Sequence, residues 1–137
     1  MSSFKIFEVA GAGMSAQSVR LNTTASNLAN ADSVGSDPNA VYKARHPVFE
    51  AVRAQLGHKE MGSAVQVKGI VEDQTPAAAR YEPGNPLADA NGYVYAPNVN
   101  VVEEMTDMIS ASRSYQNNVE VMNTAKEMML ATLRLGQ

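Results

Sequence analysis

The sequence predicts a mainly α fold with a small β insert. Two long terminal helices, residues 1–31 and 100–137, pair as an antiparallel, coiled-coil-like hairpin, forming one domain; residues 32–99 form a loop, an extended arm and a short β-rich middle. Three observations predict this. Apolar residues recur every seventh position near the C-terminus. The same spacing returns near the N-terminus. Between them, turn clusters flank the best alternating stretch, Ala64 to Glu72.

The C-terminal stretch, Asn100 to Gln137, carries Val101, Met108, Tyr115, Met122 and Met129 at a strict heptad spacing. Met105, Val119 and Leu133 lie beside them, with Ser112 and Lys126 in the same register. Ala111, Ala125 and Thr132 line one edge, and Asn118 shares it. Asn100 is placed to cap a helix, with Glu103 three residues on in capping-box position. Glu103, Glu104 and Asp107 complement the positive end of the helix dipole and Arg134 the negative end. No Gly or Pro interrupts the run before Gly136, which supplies the C-cap. The helix so predicted has about 35 residues, roughly 50 Å of length. A chain of 137 residues has too little else to wrap it, so a partner is expected.

Phe7, Met14, Leu21 and Leu28 repeat the heptad over residues 3–31, thickened by Val9, Ala10, Ala16, Ala25 and Ala29. Ser2 or Ser3 could cap this helix. Gly11 and Gly13 each cost about 1 kcal/mol against Ala in a helix interior, which predicts loose or kinked first turns. Arg20 is the only charge between Glu8 and Asp32. An outer face of Ser, Thr, Asn and Gln suits contact with other protein on several sides.

Asn30 to Asn39 is a loop by composition. In Val41 to Val52, Pro47 argues for an edge strand or extended arm. Gln55 to Ser63 is polar and punctuated by Gly. Ala64 to Glu72 reads as a strand with a slip near Gly69. Ala77 to Tyr81 and Tyr93 to Tyr95 read as short extended pieces, separated by turn clusters at Glu82 to Pro86 and Asp89 to Gly92.

Formal net charge is −3 and no long basic run exists, so nucleic acid and anionic membrane are not expected partners. Without Cys, disulfides and Cys-ligated metals are excluded. The start, Met1 to Phe7, lacks the apolar core of a signal peptide, and no apolar run approaches the ~18 residues of a membrane span. No catalytic constellation, phosphate loop, metal set or cofactor site is expected. His46 and His58 read as surface or interface histidines rather than ligands. Met105, Met108, Met122, Met128 and Met129 form a soft apolar surface that serves packing and partner binding together.

Leu21-Asn22-Thr23-Thr24-Ala25-Ser26-Asn27-Leu28-Ala29-Asn30-Ala31 resembles the N-terminal signature of bacterial flagellar rod and hook proteins. Val99 to Met105 and Ser112 to Asn118 resemble the C-terminal signature of the same family. Asn22, Ala25, Asn27, Asn30, Asn100, Glu103, Tyr115 and Gln116 are the signature positions. The chain length, Tyr42 to Arg45, Asn91 to Val99 and the ending Leu133 to Gln137 look like proximal-rod members. Where many relatives read Asn/Ser-Thr-x-Gly-Tyr after Ala31, this chain reads Asp32-Ser33-Val34-Gly35-Ser36.

The resemblance implies a non-enzymatic structural subunit of the proximal rod, in the basal body spanning the periplasm. It implies export through the flagellar type III apparatus without a cleaved signal, helical assembly around the export channel, and transmission of torque. The implied partners are other copies of the chain, other rod proteins, and adaptor proteins of the base and export gate. Phe7, Met14, Leu21, Leu28, Val101, Met105, Met108, Tyr115, Val119, Met122, Met129 and Leu133 are the expected packing and assembly residues. Alternative readings are another axial-family member, such as another rod subunit or a hook-junction protein, and a helical adaptor or export chaperone. The short middle argues against the larger axial members. An adaptor would carry charge at its flanking heptad positions, and the N-terminal helix lacks charge there, which argues against that reading. An enzyme would need a cleft that this length cannot hold beside two such helices.

Overall fold

A computed structural model describes residues 3–53 and 63–136. In chain order the elements are α1 (Ser3–Asn30), β1 (Arg45–Arg53), β2 (Ser63–Glu72), β3 (Ala78–Tyr81), β4 (Tyr93–Ala96) and α2 (Val101–Leu135). The architecture is thus mainly α with a small β region, as the sequence predicts. His58 and most of the polar stretch from Gln55 to Ser63 lie outside the described residues.

The two helices lie side by side with their residue order reversed. Asn27 meets Glu104, Arg20 meets Asp107, Gly13 abuts Asn118, and Ile6 borders the same groove as Val121 and Ala125. One end of the pair is flush, since Asn30 and Val101 close α1 and start α2 together. At the other end, continuing that register leaves the turns after about Met128 without a described α1 residue opposite them.

Small residues form the seam. Ala10, Ala16, Ala111 and Ala125 are buried, together with Thr23, Thr24, Asn27 and Glu104. On α2 the buried line is Glu104, Ala111 and Ala125, with half-buried Asn118 between them. This line is the small-residue edge, adjacent to the Met and Tyr stripe. The reason is steric: Ala and Gly let two backbones approach, and the long side chains then flank the contact.

Gly13 shows the same constraint. A Cβ there would stand 2.8 Å from Asn118 Nδ2. The glycines therefore do not loosen α1, which runs unbroken from Ser3 to Asn30.

Asn100 caps α2 as the sequence predicts: its side chain accepts from Val102 N at 3.1 Å and Glu103 N at 3.5 Å. Gly136 ends the helix at φ −91°, a right-handed conformation rather than the left-handed one that glycine uniquely favours.

β1 and β2 form an antiparallel two-stranded arm that rests on α1. Its register passes from Val48↔Gly69 to Phe49↔Val67, so Lys68 is an extra residue on β2. This bulge is the slip that the alternation predicts near Gly69. Pro47 sits opposite Ile70 in a sheet where both strands are edges.

β3 and β4 form a separate antiparallel pair, held to the loop after α1 by a bridge between Gly35 and Tyr95. A Cβ at Gly35 would meet Val41 Cγ1 at 2.9 Å, so this close approach needs glycine. Val94 and Ala96 on β4 and Ala44 before β1 are the buried centre of the middle region.

The chain exposes 9546 Å² of surface. A compact monomer of 14.6 kDa would expose about 6,900 Å².

Candidate assembly interface

Two kinds of surface meet on the helix pair. The flush end is closed by a polar joint, and the rest of α2 carries uncovered apolar side chains.

Asn27 is the centre of the joint and is fully buried. Its Nδ2 donates to Arg45 O at 2.9 Å and to Glu104 Oε1 at 2.8 Å; its Oδ1 accepts from Arg45 N at 2.9 Å and from Tyr42 Oη at 2.8 Å. The partners fix the orientation of the amide, because Arg45 O and the carboxylate can only accept and Arg45 N–H can only donate. Every donor and acceptor site of the amide is thereby filled. Tyr42 has spent its one proton on Asn27, so Ser26 Oγ donates to Tyr42 Oη across 3.1 Å.

A second asparagine works one residue earlier. Asn98 Oδ1 accepts from Ala44 N at 2.8 Å, while its Nδ2 donates to Thr75 O at 2.9 Å and Asp73 O at 3.2 Å. Asp73 N in turn donates to Ala44 O at 2.8 Å. The backbone at Ala44 and Arg45, where the arm begins, is thus clamped from two sides. The Arg45 guanidinium lies 5.6 Å over the Tyr42 ring and reaches Glu72 at 3.2 Å.

Expecting Glu104 and Asp107 to serve only the helix dipole misses what they do. Glu104 is buried and holds Asn27, and Asp107 pairs with Arg20 at 2.5 Å across the helices. The sequence gives no local sign of either pairing, because each partner lies more than seventy residues away.

The turns of the middle region are fixed by carboxylates. The Thr75 hydroxyl and then its N–H hold Asp73 below its ordinary value, at 2.6 and 2.7 Å. The Tyr93 N–H, at 2.9 Å, is the largest cause of the lowered value of Asp89. Burial and then the Asp89 charge push the Tyr95 hydroxyl up.

The apolar surface lies beside the polar joint and at the opposite end of α2. Val102, Met105 and Ile109 are exposed along the first turns of α2, and Met128, Leu130, Leu133 and Leu135 along the last, where Leu135 reaches 89% exposure. Beside Ile6 of α1, a groove of about 420 Å³ runs past Val121, Ala125 and Met128.

The residues singled out by spacing are distributed as follows. Phe7, Met14, Leu21, Leu28, Met108, Val119, Met122 and Met129 are half-buried. Val101, Met105, Tyr115 and Leu133 are exposed in the single chain. Among the signature positions, Asn27 builds the joint, Asn100 caps α2, and Asn30 Nδ2 donates back to Ser26 O at 2.8 Å. Asn22, Ala25, Glu103 and Gln116 are exposed.

His46 is exposed on β1. Among the described residues no cluster of His, Cys, Asp or Glu could hold a metal ion, and no helix is long and apolar enough to cross a membrane.

Residues 7–35 match the family model described as flagella basal body rod protein, and residues 90–135 match that of the flagellar basal body rod FlgEFG protein C-terminal region. The chain is 56% identical over 137 residues to the flagellar basal-body rod protein FlgC of Salmonella typhimurium, with all of both chains covered. The protein of that name from Yersinia enterocolitica is 55% identical over the same length. That of Agrobacterium fabrum is 39% identical over 129 residues, covering 93% of this chain and 91% of its own.

Proposed function

Since this chain belongs to the FlgC family of flagellar basal-body rod proteins and is a structural subunit of that rod, we propose that the helix pair is the part by which it assembles. Residues 1–31 and 100–137 act as one axial domain, paired as a coiled-coil-like hairpin, and residues 32–99 act as the arm and insert that it carries. The role is mechanical: copies stack helically around the export channel in the proximal rod and pass torque along it. Its neighbours are copies of itself, other rod proteins, and adaptors at the base and export gate. It reaches them through the flagellar type III apparatus.

The observation that carries this reading is the exposed apolar surface of α2, with Val102 at 72%, Leu133 at 67% and Met128 at 64% exposure. Exposed surface of that kind on a single chain marks a site that other protein covers. The assembly residues are then Val101, Met105, Tyr115 and Leu133 outward, and Phe7, Met14, Leu21, Leu28, Met108, Val119, Met122 and Met129 along the flanks of the seam. Subunits that meet through unlike faces form an open helix rather than a closed ring.

Leu133→Asp tests the reading. It is a cleaner probe than Met122→Asp, because Met122 is already half-buried in the single chain. The Leu133→Asp subunit should fold and be secreted, yet be absent from isolated basal bodies, and the cells should not swim. Normal incorporation of Leu133→Asp together with Met105→Asp would overturn the reading.

A further inference from the structure

We propose that Asn27 and Glu104 form a joint that docks the β1–β2 arm only when the two helices are paired, so that arm order and hairpin closure are one event. The connectivity carries this. Among the described residues α2 approaches neither strand of the arm; the arm rests on α1 alone. Among the described hydrogen bonds, the one link from a residue of α2 itself toward the arm runs through the Asn27 amide, whose two N–H groups go to Glu104 on α2 and to the Arg45 carbonyl on β1; Asn98, ahead of α2, separately holds Ala44 and the turn after β2. The Asn27 amide also takes the Arg45 N–H on its oxygen.

Removing α2 changes the state of that amide. With the helices closed Asn27 is fully buried, so a proton that loses Glu104 alone has no described acceptor there; with the helices apart, water reaches the amide and competes for its bonds to the arm. An unsatisfied buried donor is strongly disfavoured, and the amide relieves it by turning toward water. Turning breaks both bonds to Arg45 and the bond from Tyr42 at once. Glu104 is therefore a positioning residue: it touches nothing on the arm but holds the group that does. The two hydrogen bonds that Arg45 makes with Asn27 register the first residue of β1, next to Ala44, which Asn98 holds.

The β3–β4 sheet supplies an internal control. It approaches neither helix closely, and its hydrogen bonds run to the Gly35 loop and within the Asp89 turn. Its order should not follow the joint. The inference concerns the single chain and stands apart from the assembly reading, because every measurement is made on the free subunit.

The test is amide exchange followed by mass spectrometry on the full-length free protein. In Glu104→Ala, amides of residues 45–53 and 63–72 should lose about tenfold or more of their protection, while those of residues 78–96 stay at the wild-type level. Glu104→Gln keeps an acceptor oxygen and should restore most of the arm's protection. Ala111→Asp charges the buried seam away from the joint and contacts no strand. It should open the helices and release the arm together, again sparing residues 78–96. Two results overturn the proposal: an arm that stays protected when either Glu104→Ala or Ala111→Asp has opened the joint, and loss of the 78–96 sheet together with the arm, which would mean one undivided folding unit.

Discussion

The two ends of the helix pair are built on opposite principles. At the flush end the contact is a polar joint: Asn27, Glu104, Tyr42 and the Arg45 backbone satisfy one another within the chain. At the far end, α2 runs on past the start of α1, and Met128, Leu130, Leu133 and Leu135 stand in solvent. The joint itself needs no other molecule, although Val102, Met105 and Ile109 stand in solvent beside it. The far end cannot bury its apolar surface without one. Stability of the free subunit and competence to assemble are therefore written in different residues, and substitutions can separate them.

The largest loss of free-subunit stability should come from Asn27→Ala. It strands the Arg45 N–H and carbonyl, the Tyr42 hydroxyl and the Glu104 carboxylate together, and should cost about 2–4 kcal/mol in denaturant unfolding. A cost below that of an ordinary surface substitution would break the contrast between the two ends.

Gly13→Val should follow, at about 1–3 kcal/mol from overpacking. Its Cβ would press on Asn118, whose Nδ2 already donates to Ser114 O at 3.0 Å. Adding Asn118→Ala should return much of the loss, and the double-mutant cycle reads that coupling directly.

A smaller effect comes with acid. Asp73 and Asp89 both titrate below their ordinary value in the fold. The unfolded chain therefore takes up the protons first. The stability these groups add is present above the unfolded carboxyl value, about 4, and is lost as pH falls through the folded values. Urea midpoints measured downward from pH 5 should fall less steeply in Asp73→Asn with Asp89→Asn than in the wild type.

The smallest effect on the free subunit belongs to Leu133→Asp, within about 0.5 kcal/mol of wild type. Its consequence should appear only in assembly. His46→Ala should change neither, as checked by swimming in soft agar.

The sequence was informative about elements and much less so about their centre of contact. α2 occupies Val101–Leu135 because Asn100 caps it, Gly136 ends it and nothing between them breaks a helix. The arm's bulge was legible from the broken alternation at Gly69. The helix seam was not. An apolar stripe and a small-residue stripe lie side by side on α2, and periodicity cannot say which faces the partner. Close approach selects Ala111 and Ala125, and the methionines fall to the flank. Gly13 reads locally as a weak helix residue and only across the seam as the place where a Cβ would press on the amide of Asn118. The joint was hidden for a different reason. Asn27 stood out as a signature residue, but hydrogen bonds spanning 77 residues leave no local pattern at Glu104.

The small-residue seam has a further consequence in side-chain entropy. Ala and Gly have no rotamers to lose when two helices close, and Ala10, Gly13, Ala16, Ala111 and Ala125 supply much of this contact. At these positions closing costs no side-chain rotamers, so the entropy lost in the pairing falls on the larger residues at its flanks. The exposed Met105, Met128, Leu130 and Leu133, by contrast, keep their rotamer freedom until a neighbour takes it from them.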